Sequence, residues 1–212
     1  MFANRIAPPQ VNYLGFAGTS GADFYDCLIA DQVVFPPNDR PHYTEFVSYL
    51  LNSFFSADTS ISIDSLGLFP KREDHGLLVD GLVFAYFNNF YKITPSVFDT
   101  RIKLLKSFPH SVLWLSKFSD VATKNLVNEA LKRGVDSSRL IFAELVPSRA
   151  VYLSRLRLAD LFLDAPNYNA HTTAADALWA GLPVLTQIGS TFAGRVAASQ
   201  LSALGLPELI TF

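Results

Sequence analysis

The chain has one cysteine, Cys27, one methionine and four scattered histidines in 212 residues. A single cysteine excludes an internal disulfide and fits a reducing compartment, so a cytoplasmic setting is expected. In its apolar stretch Cys27 reads equally well as plain core. With no Cys or His cluster, there is no zinc-ligand spacing and no metal is expected. No apolar run reaches the roughly 18 residues of a membrane span, and Met1-Phe2-Ala3-Asn4-Arg5 has no signal-peptide apolar region. Charge is sparse as well. Seventeen Lys and Arg stand against 19 Asp and Glu, for a net charge of −2, with no basic block. Neither nucleic acid nor an acidic membrane surface is indicated as a partner. Internal repeats and low-complexity tracts are missing, as are a Ser/His/Asp set and a close carboxylate pair.

Half of the chain is hydrophobic, enough for a sizeable core. From about Val83 onward, apolar strands alternate with helices. Strands are expected over Val83–Phe87, Ser111–Leu115, Leu140–Leu145, Leu161–Asp164 and Pro183–Thr186. Helices are expected over Pro95–Ser107, Asp120–Arg133, Pro147–Arg157, Thr173–Ala180 and Thr191–Leu204. Thr94 is placed to cap the first of these with Pro95 at its first position, and Gly134 and Gly181 act as stops. Near-continuous apolar strands between helices predict α/β architecture, with a Rossmann-like, doubly wound parallel sheet over residues 81–212. Residues 1–51 read as a separate piece, with strands at Gln10–Gly15 and Leu28–Phe35 and the glycine-rich turn Gly15–Gly21 between them. The polar, turn-rich residues 52–80 read as a linker.

The densest cluster of chemistry is Asp164-Ala165-Pro166-Asn167-Tyr168-Asn169-Ala170-His171-Thr172-Thr173-Ala174-Ala175-Asp176. A strand runs through a polar loop into a helix whose start carries His171, Thr172 and Thr173. Unpaired N–H groups, the positive end of the helix dipole and two hydroxyls make an anion site suited to phosphate. The plainer alternative is a Thr N-cap. Asp176, one turn on, is placed for ribose hydroxyls, or simply to complement the dipole. Lys92, in the loop Phe87-Asn88-Asn89-Phe90-Tyr91-Lys92, offers a compact charge for a diphosphate, or is merely solvated. Val146-Pro147-Ser148 ends another strand, and Tyr152 one turn later offers a ring for a nucleobase, or packs on the sheet edge. The Gly15–Gly21 turn lets a sugar or phosphate approach its backbone, although no Lys-Ser/Thr follows it as in a P-loop.

At these residues the chain resembles the C-terminal region of the O-linked N-acetylglucosamine transferases, whose relatives include the plant SPINDLY-type proteins. The matching stretches are Ala7-Pro8-Pro9-Gln10-Val11 with Gly18-Thr19-Ser20-Gly21, Phe87 to Pro95, Ser111 to Leu115, Leu158 to Asp164, His171 to Gly181, and Arg195 to Ser199. They run in the expected order along most of the chain, closer to the bacterial pattern than to the animal one. Asn89 stands where animal members carry Gln, Tyr152 where the family has a base-stacking His, and Ser148 where animal members have a nucleoside-contacting Lys.

The resemblance implies a glycosyltransferase-B fold. It implies inverting, metal-independent transfer of N-acetylglucosamine from UDP-GlcNAc to Ser/Thr hydroxyls of acceptor proteins, with no cofactor. Lys92 and His171 would then be the catalytic residues, Lys92 holding the diphosphate and His171 lying near the sugar. Thr172 and Thr173 would donate to phosphate and Asp176 would bind ribose. Tyr152 and Val146 would serve the base, and Leu14, Gly15 and Asn89 the donor pocket. Residues 1–51 would be a remnant of the N-terminal catalytic lobe. The resemblance further implies tetratricopeptide repeats and the rest of that lobe upstream, and a final helix downstream. Two other functions fit the same residues: a non-catalytic nucleotide-sugar-binding module, and a protein O-fucosyltransferase using GDP-fucose.

Overall fold

The computed structural model describes residues 2–60 and 70–212. Part of the expected linker, residues 61–69, lies outside the described residues. The chain forms two compact units that do not follow the divisions at residues 51 and 80. One gathers residues 1–56, 166–171 and 186–212; the other holds residues 57–165 and 172–185. Among the described residues no helix is long and apolar enough to cross a membrane.

The first unit opens with a parallel three-stranded sheet of β1 (Val11–Asn12), β2 (Cys27–Ala30) and β3 (Phe46–Tyr49), in that order. The expected strand over Gln10–Gly15 shrinks to β1. Beyond it Gly15 N–H donates to the Tyr13 carbonyl at 2.7 Å, closing a three-residue turn on Leu14, whose φ is +58°. The strand expected to reach Phe35 stops at Ala30, because the buried Asp31 carboxylate takes the N–H groups of Val33 at 2.8 Å and Val34 at 3.0 Å. That is an Asx-type turn, in which a short polar side chain outcompetes the strand ladder. Strand β3 was not expected.

The second unit carries the α/β alternation: β4 (Leu82–Tyr86), α1 (Pro95–Ser107), β5 (Ser111–Ser116), α2 (Asp120–Lys132), β6 (Leu140–Ala143), α3 (Arg149–Leu156), β7 (Leu161–Leu163), α4 (Thr172–Trp179) and β8 (Val184–Gln187). All pairs are parallel and the order is β6-β5-β4-β7-β8. Every residue of β5 is buried, as expected of a strand covered on both faces. Thr94 caps α1, its hydroxyl accepting from Val97 N–H at 3.3 Å, with Pro95 at the first helical position. Phe84, Tyr86, Phe98, Ile102, Leu113, Leu115 and Leu163 lie at the centre of the core. Residues 70–80 belong to this unit. There Arg72 donates to the Leu158 and Gly81 carbonyls and forms a two-pronged contact with Asp160, which also accepts from Val83 N–H at 2.7 Å.

Back in the first unit, Thr186 and Gln187 at the end of β8 pair with β9 (Ile210–Thr211). The single helix expected over Thr191–Leu204 is two pieces, a 3-10 turn at Phe192–Gly194 and α5 (Val196–Ala203). Thr191 caps the turn through Gly194 N–H at 3.2 Å, and the break falls at Arg195, whose backbone leaves helical geometry at φ −120°. The core here is Leu28, Ala30, Val34, Phe35, Phe54, Phe192 and Val196. The rings of Phe54 and Phe192 meet edge-on at 4.9 Å.

Candidate functional site

Strand order decides where a ligand can sit. The chain builds β4, β5 and β6 outward in one direction, then returns to lay β7 on the other side of β4. The loops leaving the carboxyl ends of β4 and β7 therefore diverge and open a crevice, the switch point at which open parallel sheets bind ligands. The β4 loop carries Asn88 and Lys92; the β7 loop begins at Asp164.

Both Asn88 and Asp164 are buried, at 3% and 4% exposure. Asn88 Nδ2 donates to Asp164 Oδ1 at 3.4 Å across the switch point, and Asn88 Oδ1 accepts from Lys92 Nζ at 3.2 Å. Lys92 is half-buried on a 3-10 turn. Burial pushes its ammonium below the usual lysine range, and the Asp164 charge opposes that. The side chain is thus a fixed, partly desolvated cation. Asn89, by contrast, is exposed.

The loop after β6 leads through half-buried Val146 to Ser148, which caps α3 by accepting from Val151 N–H at 3.4 Å. Tyr152 is half-buried, with its ring 6.3 Å from that of Phe87 and 5.7 Å from the Arg155 guanidinium. Part of the Tyr152 ring is therefore packed against Phe87 and Arg155. Burial drives its phenol far above the ordinary range, with the Asp176 charge adding to the effect. Arg155, buried at 3%, lies over Phe87 and Trp114 as well and donates to the Glu144 carbonyl at 2.7 Å.

Thr172 and Thr173 open α4 as expected, Thr172 exposed and Thr173 half-buried. Asp176 sits one turn on and on the same face as Thr172. It is 8% exposed, and its carboxyl is pushed up by burial against the opposing charge of Arg149. Arg149, which the sequence reading missed, donates to Asp176 Oδ1 at 2.8 Å. Asp176 therefore answers to a guanidinium from α3, 27 residues away, more directly than to its own helix dipole.

In the first unit His171 has a fixed ring. It stacks on Tyr168 at 4.9 Å between centroids and 20° between planes, and its Nε2 lies 3.2 Å from the Ala193 carbonyl. A carbonyl only accepts, so Nε2 carries the proton in this contact. Leu14 and Gly15 form the tight turn described above, with Leu14 exposed in the left-handed region that disfavours residues with a Cβ. The glycine-rich turn does bind an anion, but one supplied by its own chain. The buried Glu45 carboxylate accepts from Thr19 Oγ1 at 2.6 Å, Ser20 N–H at 2.7 Å and Ser20 Oγ at 2.8 Å. Ser20's backbone donor is thus already committed.

The chain matches the sequence pattern of glycosyl transferase family 41 over residues 1–67 and 59–212, which is most of its length. The chain belongs to this family. Among relatives of this family 41 chain, a probable UDP-N-acetylglucosamine–peptide N-acetylglucosaminyltransferase of Arabidopsis thaliana is 37% identical over 97% of the chain and 21% of its own length. The Caenorhabditis elegans UDP-N-acetylglucosamine–peptide N-acetylglucosaminyltransferase is 41% identical over 73% of the chain and 13% of its own length. The family 41 chain thus spans about a fifth or less of these relatives. A Thermobaculum terrenum O-GlcNAc transferase mutant superposes with a TM-score of 0.86 at 32% identity, covering 99% of the chain and 39% of that protein. Anabaena HepE, solved with UDP and glucose, superposes at 0.51 with 12% identity over 87% of the chain and 62% of its own. That more distant likeness speaks to fold alone, and the fold is of the glycosyltransferase-B type.

Proposed function

We propose that this chain is the donor-binding part of a protein O-GlcNAc transferase. The reaction is transfer of N-acetylglucosamine from UDP-GlcNAc to a Ser or Thr hydroxyl of an acceptor protein, with inversion and without a metal or cofactor. The observation that carries the reading is Lys92, a partly buried ammonium tethered at the switch point of a family 41 fold. As the acceptor oxygen forms its bond to the sugar C1, the bond to the diphosphate breaks and negative charge grows on the leaving oxygen. Lys92 and the hydroxyls and N–H groups at the α4 start would receive that charge, each contact contributing roughly 2–4 kcal/mol to lowering the barrier. Asp176 would take the ribose hydroxyls, Val146 and Tyr152 the base, and Asn89 would face the sugar. The relatives' names support donor and acceptor class. The lone Cys27 supports a cytoplasmic setting.

Calorimetric titration of the folded chain with UDP, and in parallel with GDP, tests the reading. Selective UDP binding, weakened about 10- to 100-fold by Lys92→Ala, is expected, as for loss of a charged hydrogen bond. Selective GDP binding would move the donor to a fucose nucleotide. A Lys92→Ala variant that binds UDP as the parent does would remove Lys92 from the site. The alternative, a nucleotide-sugar-binding module without transfer activity, predicts a different outcome. UDP binding by this chain without transfer to a protein acceptor, from a preparation in which a longer family member is active, would support that reading.

A further inference from the structure

A buried polar cluster of the second unit holds Lys92. Asp164 opens the loop after β7 and is 4% exposed; its Oδ1 accepts from Ala165 N–H at 2.7 Å and from Asn88 Nδ2 at 3.4 Å. Its backbone is held on both sides, N–H to the Leu185 carbonyl at 3.0 Å and carbonyl to the Arg101 guanidinium. The carboxylate therefore has almost no freedom to move. Asn88 is equally fixed. Its amide points the nitrogen at the acid and the oxygen at the base, the only orientation in which both contacts attract. An acid, an amide and an ammonium thus link the loop after β7 to the loop after β4. A buried carboxylate is tolerated when cations answer it, and here Arg101 and Lys92 do so from opposite elements.

We propose that Asp164, acting through Asn88, is the positioning residue of Lys92: it fixes the ammonium at the switch point so that it meets a diphosphate already oriented. This inference rests on the reading of Lys92 as the diphosphate ligand. Asp164 itself touches no substrate. Its consequences are geometric, in that Lys92 need not be ordered when the donor arrives, and electrostatic, in that its charge keeps a desolvated lysine protonated. Tyr86 from β4, Tyr91 from the 3-10 turn and Arg101 from α1 are further titratable groups at the cluster. Arg101 alone among these is cationic at neutral pH, so removing the Asp164 charge takes from both Lys92 and Arg101 the carboxylate that opposes their desolvation.

The test uses the whole chain with 13C-labelled lysine. The Lys92 ε-carbon resonance is assigned by its loss in Lys92→Arg and followed against pH. Asp164→Asn, which preserves shape and hydrogen bonding, is expected to lower the Lys92 midpoint by about one pH unit, as for loss of a neighbouring opposite charge. The alkaline limb of UDP affinity should move down with it. A folded Asp164→Asn chain with an unchanged midpoint and unchanged UDP affinity would overturn the inference. Should that variant fail to fold, Asn88→Ser keeps the acid and removes the link. It is expected to weaken UDP binding about tenfold, and unchanged binding would equally overturn the inference. A shifted midpoint together with UDP binding indifferent to Lys92→Ala would instead sink the diphosphate assignment, leaving the coupling between Asp164 and Lys92 intact.

Discussion

Arg149 holds two carboxylates at once, donating through Nη2 to Asp176 Oδ1 and through Nη1 to Asp58 Oδ2, each at 2.8 Å. The two acids differ. Asp176 is nearly buried and its carboxyl is raised by burial, whereas Asp58 is exposed and held low by Ser60 and by Arg149. The guanidinium is thus what allows a carboxylate to stand ionised on the inner face of α4.

Arg149→Ala should therefore destabilise the chain by about 1–2 kcal/mol at neutral pH, a modest figure because the guanidinium is partly exposed. Asp176 has a folded pKa above its unfolded value. Its favourable contribution is complete below the unfolded value and is lost as pH rises through the folded one. Removing Arg149 raises the folded value further, so the variant should lose more stability than the parent between about pH 4 and about pH 7. Urea unfolding at those two pH values checks this; an equal deficit at both would count against the pairing.

Glu45→Gln should cost about 1–3 kcal/mol, because an ionised acceptor of several hydrogen bonds is replaced by an amide whose NH2 meets donors. Burial raises the Glu45 pKa, but the hydrogen bonds from Thr19 and Ser20 outweigh it and hold the carboxyl below its ordinary range. A lowered pKa means stability that is present above the unfolded value and lost as pH falls through the folded one. Melting temperature followed on acidification should accordingly drop less steeply in Glu45→Gln than in the parent. Parallel curves would show that the loop does not depend on the charge.

Gly81 precedes β4 with φ at +134°, and a Cβ there would come within 2.8 Å of the His110 carbonyl oxygen and 2.9 Å of Leu78 Cδ1. Gly81→Ala combines a forbidden backbone region with a backbone clash, and a loss of about 2–3 kcal/mol is expected. Denaturant midpoints measure it. A midpoint within error of the parent would mean that the chain enters β4 differently.

Ser199 donates to the Asp31 carboxylate at 2.6 Å and lies 2.8 Å from the Ser53 hydroxyl, all within the first unit. Asp31 also accepts Phe54 N–H at 2.8 Å. Ser199→Ala leaves a buried carboxylate short of one donor, and a cost of about 1–3 kcal/mol follows. Should hydrogen exchange at Val33, Val34 and Phe54 remain as slow as in the parent, the node would not be what holds this corner.

Much of the second unit was legible in the sequence because local signals agreed with one another. Apolar runs such as Ser111–Leu115 can only be buried strands between helices, and Thr94-Pro95, Gly134 and Gly181 mark helix ends by chemistry that acts within a few residues. Strand β3 was invisible because Phe-Val-Ser-Tyr is short and mostly exposed, so neither alternation nor a continuous run announces it. Asp31 ended β2 early through its own side chain, which a count of apolar residues does not register. In the site, Lys92, Thr172, Thr173 and Asp176 stood out by type and by position after strands. Arg149 and Arg155 did not, and Asp164, though it heads the polar stretch, carried no role of its own. Their roles rest on partners brought close only by the fold, and a lone Arg on a helix or an Asp after a strand has many plainer uses.

The contact between Asp31 and Ser199 joins residues 168 positions apart, the two ends of the first unit's sequence. At typical rates of synthesis, roughly ten to thirty seconds separate the emergence of the two segments from a ribosome. Through that interval β1 to β3 and the Phe35 and Phe54 side chains wait without the Phe192 and Val196 surface that completes their core. The second unit, whose strands and helices lie almost wholly between those two moments, is able to fold first. All residues of the second unit, Lys92 among them, have thus emerged before the last segment of the first unit does.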